Sequence, residues 1–217
     1  MKIAIWYHCL LSGPRIPSED HALAVLQSQM SALSKSGLAA EAQEIHLGIN
    51  DTDGSALLLC ALATEPRKTQ LQVHADGQSE LTTLRDLQTW LKPGWLVFYH
   101  HIKGVSYPGN EVRERWRRCM ERVCVWNWQA CTSVLEAGAD TSGAHWLTHQ
   151  KYPMVNQAHR YWGGNFWWAT SDYLLTLPPL SLDSFEARYD AEVWIGSGKT
   201  SPAVVDFAPH WPMSCTL

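Results

Sequence analysis

Over its first hundred residues the chain alternates short apolar runs with amphipathic stretches, and this alternation most restricts what it can fold into. Residues 3–7 form an apolar run suited to a buried strand. A loop follows over 11–19, marked by Gly13, Pro14 and Pro17. Leu23, Leu26, Met30 and Leu33 then recur at intervals of three and four, the stripe of an amphipathic helix that Gly37 is placed to stop. Further strands are expected over 44–49, 69–74 and 95–101, and a short helix over 56–63. Before the last strand, Ser79 can cap a helix whose Leu81, Leu84, Leu87 and Leu91 share one face, and Pro93-Gly94 ends it. Strands separated by helices pair in parallel, because each crossover helix returns the chain to the same end of the sheet. An α/β architecture with a mostly parallel sheet follows.

One long helix is expected over 111–136. Its five arginines (113, 115, 117, 118 and 122), with Glu111/Arg115 and Glu114/Arg118 four apart, read as a solvated face. After Gly143 aromatics, Pro and Gly crowd in, and helical spacing persists only over 172–177 and 183–195. This half reads as an elaborated sheet on the same domain, so residues 1–217 are read as one unit.

Composition removes several classes. Lys plus Arg is 17 against 21 for Asp plus Glu, a net charge of −4, which argues against a nucleic-acid partner. No apolar run reaches the roughly 18 residues a membrane span needs. The opening residues read as a first strand rather than a signal peptide. None of the six cysteines forms a C-x-x-C pair, so neither a disulfide scaffold nor a zinc ribbon is expected, and a reducing cytoplasm fits best. Twelve tryptophans point to a surface for stacking sugar or base rings. Gly196-Ser197-Gly198-Lys199-Thr200 imitates a phosphate-binding loop, but Val193 stands where the pattern needs its first glycine. His145 and His149 would clamp zinc only on a helix, and the local sequence reads as a strand.

Three segments carry the candidate chemistry. The apolar strand over 95–101 ends in His100-His101-Ile102-Lys103-Gly104, polar groups at the strand end where open α/β sheets bind ligands. Gly163-Gly164-Asn165-Phe166-Trp167-Trp168 offers close backbone approach, a donor and acceptor, and flat aromatic walls. Asp190 and Glu192, in a mostly apolar stretch ending Trp194-Ile195, supply a candidate general base.

Taken with Tyr7-His8 and residues 79–84, these segments resemble the small GT-A glycosyltransferases of bacterial surface-polysaccharide clusters and large DNA viruses. They are similar to the capsid-glycosylating transferase domain of chlorella viruses. The resemblance implies a GT-A fold, a Rossmann-like mixed sheet flanked by helices, with a nucleotide-binding half over 1–105 and an acceptor half over 106–217. It implies a nucleoside-diphosphate sugar donor, a UDP-sugar first, and a glycan or glycoconjugate acceptor for a hexosyl- or deoxyhexosyltransferase. Tyr7, His8, Asp76, Glu80, His101, Lys103, Gly164, Asn165, Trp167 and Trp168 would bind the donor. Glu192, with Asp190 nearby, would be the catalytic base, and His101 and His210 would be the metal ligands. The pattern departs from its relatives at the strand end that usually carries Asp-x-Asp. His101-Ile102-Lys103 stands there, which puts Mn²⁺ or Mg²⁺ use in question, since a lysine repels such ions. Two other classes stay open: a carbohydrate- or nucleotide-binding module without catalysis, and a zinc hydrolase built on the histidines.

Overall fold

The computed structural model describes residues 1–11, 13, 16–50, 67–74, 80–149, 159–180 and 187–209. Nine strands occur among them: β1 (Lys2–Leu10), β2 (Glu44–Asn50), β3 (Thr69–His74), β4 (Trp95–His101), β5 (Thr141–Gly143), β6 (Trp146–His149), β7 (His159–Trp162), β8 (Trp167–Thr170) and β9 (Val204–Asp206). Seven build one sheet in the order β3-β2-β1-β4-β8-β5-β9, and β6-β7 form a separate hairpin. β1, β2, β3 and β4 run parallel, whereas β8 runs antiparallel to both β4 and β5.

Almost every residue of β1 is buried, because helices cover both faces of the sheet. The strand period of two then sorts its side chains. Ile3, Ile5, Tyr7 and Cys9 enter one core layer with Phe98 and Trp168, and Ala4 and Trp6 enter the other with Tyr99 and Trp167. The first layer is closed by α1 (Glu19–Lys35) and by the helices after β4. The second is closed by α2 (Glu80–Trp90), whose Leu81, Leu84 and Leu87 are fully buried. Ser18 caps α1, its side chain accepting from the His21 amide.

The helix expected over 111–136 is not continuous. It divides into α3 (Glu111–Glu121), a π-helical turn (Arg122–Trp126) and α4 (Trp128–Glu136). Side-chain spacing alone does not reveal such a break, since a π turn adds one residue while the apolar face continues inward. The reading of a wholly solvated arginine face also fails in part. Arg118 pairs with Glu114 at the surface, but Arg117 and Glu121 are buried and bond each other at 2.8 Å. In the second half, α5 (Ser171–Leu174) and α6 (Ala187–Val193) are the short helices present, and Val204–Asp206 is a strand, so the glycine-lysine segment before it starts no helix. The helix expected over 56–63 and the cap at Ser79 lie outside the described residues.

Among the described residues no helix is long and apolar enough to cross a membrane. Cys9, Cys124 and Cys131 are buried and form no disulfide, whereas Cys119 is disulfide-bonded, a departure from the expectation of wholly reduced cysteines.

Candidate functional site

The strand order changes direction between β1 and β4. β1 leads through α1 outward to β2, and β4 leads through α3 and α4 outward to β5, so the two connections diverge over the same face of the sheet. A crevice must open between them at the carboxyl ends of the strands, where open α/β sheets receive ligands. A cleft of about 560 Å³ lies there. Its walls are the start of α1 (His21, Val25, Ser28), the segment leaving β4 (Lys103, Gly104, Tyr107) and α3. Four Lys or Arg side chains line it (Lys103, Arg113, Arg117, Arg118) against two glutamates (Glu114, Glu121), a balance that favours an anionic ligand.

On the other face of the same strand ends sits a buried carboxylate. Glu80 opens α2, and its Oε1 accepts from the Tyr99 hydroxyl at 3.2 Å and from Asn165 Nδ2 at 3.0 Å, with His101 Nδ1 also at 3.0 Å. Burial pushes the Glu80 carboxyl up, but the charge and hydrogen bond of His101, with His8 and Asn165 behind them, outweigh it and bring it down to about 2. His8 lies alongside, its Nδ1 2.9 Å from Thr83 Oγ1. Burial outweighs the attraction of Glu80 and lowers this imidazole to about 4. Thr83 reaches His8 because β2 carries a glycine under α2: a Cβ on Gly48 would stand 1.9 Å from Thr83 Oγ1.

Asn165 is the pivot of the turn between β7 and β8. It adopts φ +57°, a left-handed conformation that asparagine tolerates better than most residues. Its Oδ1 accepts from Trp167 Nε1 at 2.8 Å while its Nδ2 serves Glu80 and, at 3.4 Å, the carbonyl of Ala191. Gly164, at φ +89°, lies against α3, where an added Cβ would come within 2.6 Å of Met120 Sδ and 3.1 Å of Trp116 Cζ2. The turn therefore joins the Glu80 cluster to the wall of the cleft.

The sequence-selected residues fall into four groups. Glu80, His101, Asn165 and His8 meet in one cluster, while Lys103 lines the cleft and Gly164 packs against Met120 and Trp116 of α3. Tyr7, Trp167 and Trp168 belong to the core instead: none shows surface, so neither tryptophan offers a ring for a sugar to stack on. Tyr7 stacks on the buried His100 at 4.0 Å and bonds Gln29, while Trp167 and Trp168 stack on Tyr99 and Phe98 across the β4–β8 pairing. Asp190 and Glu192 are half-buried on α6, beside the Ala191 carbonyl that Asn165 touches. Asp76 and His210 lie outside the described residues. Sequence reading missed Tyr99, Thr83, Arg113 and Arg117. The four-residue spacing of Arg113 and Arg117, flanking Trp116, was the available signal for the last two.

The chain matches the profile of a family described as a domain of unknown function (DUF8361) over residues 7–193. It belongs to that family. No curated protein matches the sequence. Among solved structures the DUF8361 chain is similar to HddC from Yersinia pseudotuberculosis, at 11% identity and a TM-score of 0.51, covering 96% of this chain and 91% of that one. It is also similar to a candidate nucleotide-diphospho-sugar transferase from Desulfovibrio desulfuricans G20, at 11% identity and a TM-score of 0.50, covering 96% and 81%. These likenesses establish a nucleotide-diphospho-sugar transferase fold of the GT-A type for this DUF8361 member. The narrower likeness to the viral capsid-glycosylating domain rests on the motifs alone.

That fold implies a divalent cation at the end of β4, and the described residues do not fit one. Glu80 already receives three donors on one oxygen, His101 has turned Nδ1 toward it, and Lys103 brings a positive charge to the same strand end. Among the described residues no three His, Cys, Asp or Glu side chains converge on a metal-binding point.

Proposed function

We propose that this protein is a glycosyltransferase that moves a hexosyl or deoxyhexosyl group from a nucleoside-diphosphate sugar, a UDP-sugar first, to a hydroxyl of a glycan or glycoconjugate. The observation that carries the reading is the basic cleft at the switch point between α1 and α3, in a fold similar to that of nucleotide-diphospho-sugar transferases. A fold hosts many functions, so the reading rests on the charge and position of this cleft beside the Glu80 cluster.

In this reading Glu192 removes the proton from the acceptor hydroxyl. The freed oxygen forms a bond to the anomeric carbon, the bond from that carbon to the diphosphate oxygen breaks, and the electron pair leaves with the diphosphate. A base positioned this way contributes roughly 10²–10⁴-fold. Glu80 is unsuited to the task. A carboxyl held near 2 stays ionised and is a poor proton acceptor, so it acts as a positioning residue that orients Asn165 and His101.

The test is calorimetric titration with UDP, GDP and CMP, each with and without Mn²⁺, followed by transfer assays on Glu192→Gln. Selective binding of one nucleoside diphosphate, with transfer lost but binding kept in the variant, is the expected result. Failure of every nucleotide to bind removes the proposal, and unchanged transfer by Glu192→Gln removes the base assignment.

A further inference from the structure

We infer that the diphosphate of the donor is held without a metal ion, by a clamp of Lys103 and Arg113 braced on the face of Trp116. This rests on the reading above that the cleft takes a nucleoside-diphosphate sugar. Lys103 Nζ lies 4.0 Å from the centre of the Trp116 ring, and the Arg113 guanidinium lies 5.5 Å from the same ring and 5.1 Å from that of Tyr107. Cations over an aromatic face keep their charge and their hydrogen-bond donors while the stem is held in place.

Arg113 differs from the arginines beside it. Arg117 is bound to Glu121 at 2.8 Å and Arg118 to Glu114 at 2.5 Å, so their charges are already balanced. Among the described residues Arg113 forms no ion pair. Both clamp residues line the 560 Å³ cleft, and both are only partly exposed, which keeps their field from being fully screened by water. Trp116 in turn packs under Gly164, 3.1 Å from where a Cβ would be, so the clamp is rigidly connected to the Asn165 turn and through it to Glu80.

The chemistry is complementary. A diphosphate leaving group gains negative charge as the anomeric bond breaks, and two fixed cations placed against it can stabilise that charge as a divalent ion does elsewhere. The guanidinium fork suits two phosphate oxygens at once, and the ammonium supplies a point charge. The strand end whose described residues do not fit a divalent cation thus carries one of the two groups proposed to replace it.

The experiment is calorimetric titration of the EDTA-treated chain with UDP and with UMP, repeated on Lys103→Met, Arg113→Met, Trp116→Leu and the charge-conserving Lys103→Arg. Thermal melts confirm that each variant is folded. UDP should bind without metal and more tightly than UMP. Lys103→Met and Arg113→Met should each weaken UDP by about 10-fold or more, as expected for loss of a charge-assisted bond, and change UMP by much less. Trp116→Leu should shift UDP in the same direction, and Lys103→Arg should retain most of the affinity. UDP binding that requires Mn²⁺, or that survives both Met substitutions, overturns the clamp and leaves the transferase reading intact. Absence of binding by UDP and UMP, with and without Mn²⁺, overturns the clamp, and if GDP and CMP also fail to bind the transferase reading falls with it.

Discussion

Replacing Glu80 with Gln tests whether the buried carboxylate organises the site. The side chain keeps its size, but one oxygen becomes an NH₂ that faces donors, and the charge that draws His101 is gone. Glu80 is 8% exposed, so little solvent screening applies. Its folded value of about 2 lies below an ordinary 4.5, and at 1.36 kcal/mol for each pH unit this corresponds to about 3 kcal/mol of stability. The sign follows from a folded value that is depressed. The contribution is complete above pH 4.5, where both states are ionised, and is lost as pH falls toward 2, because the unfolded chain takes up the proton first. Urea unfolding followed by tryptophan fluorescence should therefore find Glu80→Gln about 3 kcal/mol less stable than the parent at pH 7. The corresponding drop in melting temperature is roughly 6–12 °C for a domain of this size. At pH 3 the gap should have closed to roughly half or below. A variant as stable as the parent at pH 7, or a gap that does not change between pH 7 and pH 3, would refute the assignment of Glu80 as an ionised hub.

Two further outcomes follow from the same cluster. His8 is held near 4 against an ordinary 6.5, so its neutral form is the one that fits the fold, and stability should fall as pH drops from 6.5 to 4 by about 1.36 kcal/mol per pH unit; His8→Asn should flatten that slope by one proton, and an unchanged slope sinks the idea. Gly48→Ala places a carbon 1.9 Å from Thr83 Oγ1 and 2.8 Å from Thr83 Cβ, which forces α2 away from the sheet at a cost of about 1–3 kcal/mol. An unaltered melting temperature in that variant would show that the helix yields freely.

Much of the first half was legible because its signals are local. The strand over 69–74 and the strand over 95–101 have the bounds their apolar patterns indicate, and Gly37 and Pro93-Gly94 stop helices where their backbone chemistry says they should. The polar end of β4 and the Gly-Gly-Asn segment also stood out, since His, Lys, Gly and Asn are uncommon inside an apolar sheet. A periodicity reports only which residues turn inward; it does not name the residue each one meets. Trp167 and Trp168 looked like ligand walls and are core, because the antiparallel β4–β8 pairing sets them against Tyr99 and Phe98 on opposite faces. The break within 111–136 was hidden because both pieces keep their apolar side toward the same layer.

Sequence by itself determined the α/β class, the parallel order of its first strands and the strand end at which polar groups gather, all of which follow from patterns within about ten residues. Only the tertiary structure decided that Glu80 and Asn165, 85 positions apart, share a hydrogen bond, and that Lys103 and Arg113 share the face of one tryptophan. Those meetings arise where strands from both halves of the chain end side by side, and their energies depend on burial and on charge partners that no single segment contains.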